Sequence, residues 1–190
     1  MKNSKQQIIL VSILVLMAAF WRIGTAQLGL YSIVPVAAMG LFSGAILSDK
    51  KWAYLIPLAT MFISDMLFAA FTNTPGFYGV SQIVNYGALA LVTFMGTQMN
   101  KKSVLNIIGY TLSGSLVFFL LSNFGTFLSG YYGYTGAGFI ECYVMALPFY
   151  KSEMATQFFS NAFMGDLAFS LVAFGVYYVV AQKQMKTQLA

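Results

Sequence analysis

The sequence has no histidine, a single cysteine and few charged residues. Without histidine the chain lacks the commonest general base and the commonest metal-binding ring. Ser-His and Cys-His catalysis, His-ligated zinc and the usual haem sites are therefore excluded within it. The lone Cys142 rules out an internal disulfide and leaves the redox compartment open. No Gly-x-x-x-x-Gly-Lys phosphate loop occurs, so the chain does not hydrolyse ATP through such a loop. These absences predict that the protein is not an enzyme and needs no cofactor or metal. Linkers, low-complexity runs and internal repeats are also missing, which predicts one domain over 1–190.

Charge is the most telling deficit. Only 8% of the residues are charged, against about 25% in a soluble domain that must face water. Instead 59% are hydrophobic and 17% aromatic, and the mean hydropathy is +0.75. Lipid is the expected solvent for most of the surface. The fold predicted is all-α and polytopic. Apolar segments lie at 8–26, 33–48, 52–71, 81–99, 103–124 and 157–181, and most reach the roughly twenty residues that span about 30 Å of hydrocarbon. The second is shorter and carries Pro35 near its start, so it reads as tilted, partly unwound or extended by the preceding loop.

The net charge of +5 is placed, not spread. Lys2 and Lys5 precede the first segment, and Lys50 and Lys51 follow the second. Lys101 and Lys102 follow the fourth, and Lys183 and Lys186 follow the last. With six crossings all eight fall on one face, which fixes both termini on the cytoplasmic side. Lysines in short loops between apolar segments also argue against a nucleic-acid partner. One rival concerns the N-terminus: Met1–Gln7 is basic, Ile8–Trp21 is apolar, and Gly24-Thr25-Ala26 resembles a signal-peptide cleavage site. Trp21-Arg22, just before that site, counts against cleavage.

The outward loop 125–156 is long. Its first half is rich in glycine and holds Tyr131, Tyr132 and Tyr134; its second half reads as a short interfacial helix over 137–146, stopped before Pro148. Such a loop is either functional or part of an aromatic belt at the membrane surface.

Ionisable groups inside a span need a partner or a water-filled cavity. Arg22, Asp65 and Asp166 are such groups. Counted from the cytoplasmic ends at 1.5 Å per residue, all three and Asn85 lie at a common depth of roughly 20 Å. Gln82, Ser122, Asn123, Gln157 and Asn161 lie just above. The other halves of the segments are apolar. This describes a pocket open outward over a closed floor, whereas a channel needs polar lining throughout. The bland reading is an ion pair between Arg22 and either aspartate that locks helices together. One arginine against two aspartates leaves a surplus negative charge, which calls for a proton, a cation or a cationic ligand. Glu141 either adds to that acidity or is solvated. Gly40 and Gly44, and likewise Gly109 and Ser113, have the small-x-x-x-small spacing that lets helices approach closely, within the chain or toward a partner.

The stretch from Arg22 to about Gly175 resembles a family of uncharacterised bacterial membrane proteins classed with transporters. The likeness rests on Arg22, Pro35-Val-Ala-Ala-Met-Gly-Leu-Phe-Ser-Gly-Ala45, Pro57-Leu58, Ser64-Asp65, Ser122-Asn123-Phe124-Gly125, Glu141-Cys142-Tyr143, Leu147-Pro148-Phe149 and Gly165-Asp166-Leu167. That family in turn is similar to the substrate-binding S components of energy-coupling factor (ECF) vitamin transporters in size, helix number and topology. The resemblance implies a small-molecule pocket at the outer face of a bacterial cytoplasmic membrane, served by a membrane coupling subunit and two cytoplasmic ATPases. The Ala-x-x-x-Ala coupling face of many S components is missing between Ile8 and Ala26, which leaves a solitary carrier or another partner open.

The expected function is thus uptake of a small, vitamin-like nutrient. Arg22, Asp65, Gln82, Asn85, Asn123, Asn161 and Asp166 would give polar walls. Phe124, Tyr131, Tyr132, Tyr134 and Phe149 would give stacking surface and a lid, with Glu141 nearby. The alternatives are an accessory subunit of a larger membrane complex and a cation-coupled carrier that uses the surplus aspartate.

Overall fold

The computed structural model describes residues 4–27, 35–72, 75–146 and 152–189, and within them the side chains of 5–22, 24, 35–72, 75–146 and 163–183. The described residues form seven helices and no strand: α1 (Ser4–Gln27), α2 (Val36–Ile46), α3 (Lys50–Phe71), α4 (Val80–Thr97), α5 (Val104–Leu128), α6 (Gly136–Ala146) and α7 (Ser152–Leu189). Five of them, α1, α3, α4, α5 and α7, are long and apolar enough to cross a membrane. That suggests a membrane protein. Their outward faces agree: Ile9, Phe20, Leu105, Leu116 and Val172 are exposed, a surface that lipid covers and water does not.

The second apolar segment has become something other than a long span. Its helix, α2, has eleven residues, of which ten are buried, and at 1.5 Å per residue it measures about 16 Å. A helix that is apolar all round belongs in the interior. It packs against α1, α3, α4, α5 and α7 and forms the centre of the bundle. Glycine permits its closest approach: a methyl group on Gly44 would fall on the carbonyl oxygen of Thr93, and one on Gly96 on that of Leu41. Gly40 faces Leu89 and Thr93 in the same seam. Gly109 and Ser113 differ, since both are exposed and a methyl on Gly109 would meet nothing.

Connectivity gathers the lysines at one end. Gly44, near the C-terminus of α2, abuts Thr97 at the C-terminus of α4. The Gln7 amide donates to the Tyr177 hydroxyl at 3.5 Å, which joins the start of α1 to the later half of α7. α5 and α7 run antiparallel, so Lys5, Lys50, Lys51, Lys101, Lys102 and Lys183 share that end. Local caps sharpen it: Asp49 accepts the Lys51 N–H at 2.9 Å, and Ser103 that of Asn106 at 3.3 Å. Above this end the core is apolar, with Val11, Val15, Leu89 and Val92 buried and the Phe42 and Phe174 rings 5.1 Å apart, edge to face.

Candidate functional site

The polar residues meet at the opposite end. Asp65 on α3 is 0% exposed, and three side chains converge on its carboxylate. Arg22 Nη1 from α1 donates to Oδ1 at 2.7 Å, while Gln82 Nε2 and the Tyr86 hydroxyl, both from α4, donate to Oδ2 at 3.1 and 2.9 Å. Arg22 Nη1 also donates to Ser64 Oγ at 2.9 Å, and its guanidinium stands 4.9 Å from the centre of the Phe68 ring. A carboxylate taken this far from water is costly to bury unless such donors satisfy its oxygens. Gln82 reaches the Gly76 carbonyl as well, at 3.3 Å, and ties down the chain entering α4. In that chain the Tyr78 hydroxyl accepts from Asn85 Nδ2 at 3.2 Å, and burial pushes the Tyr78 phenol above its ordinary value.

Asp166 on α7 is held differently. Its Oδ1 accepts the backbone N–H of Ala38 at 2.9 Å, and its Oδ2 accepts the Ser115 hydroxyl at 2.6 Å. The first turn of α2 has no side-chain cap of its own, since Pro35 stands at its N-cap. Asp166 supplies that cap from another helix, its carboxylate lying against the positive end of α2.

Between Arg22 and Asp166 lies a cavity of about 430 Å³. Its polar wall comprises Arg22, Asn85, Ser115, Ser122, Asn123 and Asp166, and Tyr78, Phe118, Phe119, Tyr132 and Phe163 give it aromatic surface. The Asn85 Oδ1 atom is buried without a hydrogen-bond partner in this structure. Helix α6 covers part of the cavity with Cys142, Met145 and Ala146. It is pinned to α5 by the Cys142 thiol, which donates to the Asn123 carbonyl at 3.1 Å, and by the Tyr143 hydroxyl, which donates to that of Leu120 at 2.8 Å. Burial pushes the Cys142 thiol and the Tyr132 and Tyr143 phenols up. The turn before α6 needs glycine at Gly130 and Gly133, where φ is 76° and 77°.

Of the residues singled out in the sequence, Arg22, Asn85, Ser122, Asn123, Tyr132 and Asp166 line the cavity. Asp65 and Gln82 stand behind Arg22 and position it. Phe124, Tyr131, Tyr134 and Glu141 are exposed outside the lining; Phe124 and Tyr134 instead pack their rings on Phe127. Phe149, Gln157 and Asn161 fall outside the residues whose side chains are described. Sequence reasoning missed Tyr78, Ser115, Phe119 and Cys142. Ser115 carried a faint signal, a hydroxyl in an apolar span at the level of Asp166; Cys142 stood in the Glu141-Cys142-Tyr143 match without a role, and Tyr78 carried no signal, because both roles depend on how loops fold back.

No curated protein and no solved structure matches the chain. A model of a family of unknown function, DUF6580, matches residues 2–188, so the chain belongs to that family.

Proposed function

We propose that this protein binds a small nutrient at the outer face of a bacterial cytoplasmic membrane and serves its uptake. In this reading the chain crosses six times with both termini inside, α2 being the short central passage. The gathering of lysines at one end and of the cavity at the other supports that orientation.

One observation carries the reading: a pocket of ligand size whose wall holds a buried, unpartnered acceptor, Asn85 Oδ1. About 430 Å³ falls within the range of small-molecule sites, roughly 300–1,000 Å³. An orphaned acceptor is costly when buried and is relieved by a ligand N–H or O–H. Aromatic rings beside a guanidinium, amides and a carboxylate suit a planar, polar heterocycle, which is what a vitamin-like nutrient offers. Delivery would fall to a partner, a coupling subunit with ATPases or another membrane protein, because this chain has no phosphate loop. An accessory subunit would need the ion pair but not the cavity beside it.

Native mass spectrometry of the protein released from its own membranes tests this. The expected result is a small molecule bound to the wild type and reduced about tenfold or more by Asn85→Leu or Asn123→Leu, as polar groups are lost from the site. Lipid alone in every sample would overturn the proposal.

A further inference from the structure

One turn from the Asp166–Ser115 pair, on the side of the lysines, two hydroxyls are stranded. Thr111 and Ser170 are 1% and 0% exposed, and neither Thr111 Oγ1 nor Ser170 Oγ has a hydrogen-bond partner. Thr111 lies four residues before Ser115 on α5, and Ser170 four after Asp166 on α7. Because these helices are antiparallel and joined by the Ser115–Asp166 bond, Thr111 and Ser170 fall at one level, one turn (about 6 Å of backbone rise) from Ser115 and Asp166 and on the same faces, where i, i+4 side chains are neighbours. Leaving either alone in an apolar interior is destabilising. Two of them beside a carboxylate describe a site with something missing.

We infer that a small alkali cation binds between α5 and α7, held by oxygens of Asp166, Ser115, Thr111 and Ser170. The donor set is all hard oxygen, which suits such an ion. Charge selects its valence. Arg22 is paired with Asp65, and among the described residues Asp166 is offset by the Ser115 hydroxyl and the α2 terminus, worth about half a charge. A monovalent ion brings the site to within about half a charge of neutral, whereas a divalent ion would leave about one and a half positive charges in the membrane interior. No group of three or more His, Cys, Asp or Glu that would hold a divalent metal occurs among the described residues. A bridging water would satisfy the hydroxyls but leave the charge, and a proton on Asp166 would remove the charge but leave the Thr111 and Ser170 hydroxyls without a partner. Entry is open, since Asp166 and Ser115 both border the cavity. The carboxylate keeps lone pairs for the ion while accepting from Ala38 and Ser115.

The test is thermal unfolding of the full-length protein in detergent, followed by tryptophan fluorescence. Lithium, sodium and potassium chloride are titrated against choline chloride at constant ionic strength. A saturable rise in Tm with an alkali ion, absent in choline, is expected. Ser170→Ala and Thr111→Val should raise the half-saturating concentration about tenfold or more, as loss of a coordinating group does, and the exposed Ser113→Ala should leave it unchanged. Identical melting in all four salts, or a rise indifferent to Ser170→Ala and Thr111→Val, would overturn the site and leave water as the occupant. Because no small molecule enters this readout, its failure is distinct from failure of the nutrient-binding proposal.

Discussion

The Asp166 carboxylate of α7 accepts the backbone N–H of Ala38 at 2.9 Å and so caps the central helix α2 from outside it. The cap matters because Pro35 cannot do the work with its own side chain. Asp166→Leu removes the cap and strands the Ser115 hydroxyl together, a loss of about 2–4 kcal/mol. Asp166→Asn keeps an acceptor for Ala38 and should cost less. Thermal unfolding of both variants in detergent checks the order; equal losses would show that the cap contributes nothing.

Arg22 depends on Asp65 in a comparable way. The arginine side chain is 19% exposed and the aspartate 1%, so Asp65→Ala leaves a cation with little water to replace its partner. Breaking such a pair costs about 3 kcal/mol, whereas replacing both members with apolar residues costs less. The double variant Arg22→Met/Asp65→Leu should therefore melt above Asp65→Ala. Melting below it would mean that the pair is not the main role of Asp65.

The α2–α4 seam sets a steric limit. Gly44→Val would drive a side chain into the Thr93 carbonyl and should destabilise by about 2–3 kcal/mol. Gly109→Val, on an open face of α5, should be nearly neutral in the same melting assay.

How far these relationships were legible in the sequence depends on what each one requires. A rise of 1.5 Å per residue was enough to bring Arg22, Asp65, Asn85 and Asp166 to one level. It says nothing of rotation about each helix, so the choice of Asp65 rather than Asp166 as the partner of Arg22 stayed open. The segment 33–48 is apolar on every side, and an apolar run alone does not separate a lipid-facing span from a buried central helix. Its role became evident only from the Gly44–Thr93 contact. Tyr131 and Tyr134 looked equivalent to Tyr132, yet the turn at Gly130 and Gly133 sends only Tyr132 to the cavity. The aspartate left over in a charge count found its explanation partly in a helix terminus, which composition does not reveal.

Cys142 offers a probe of topology. The thiol is 1% exposed, hydrogen-bonded, and pushed up by burial, so its reactive thiolate forms only at more alkaline pH than in a free cysteine. Native protein should resist maleimide at neutral pH and react once denatured. With Cys142→Ser as background, Tyr131→Cys should be labelled by an impermeant maleimide on intact cells and Lys102→Cys only after lysis. The reverse pattern would invert the proposed orientation.

The central claim is that the space between Arg22, Asn85 and Asp166 is a ligand site. An experimental density map of the protein purified from its own membranes tests it most directly. The account predicts compact density beneath α6, within hydrogen-bonding reach of Asn85 Oδ1 and stacked on an aromatic wall residue. A cavity closed by the protein's own side chains, or filled only by a lipid chain, would contradict it.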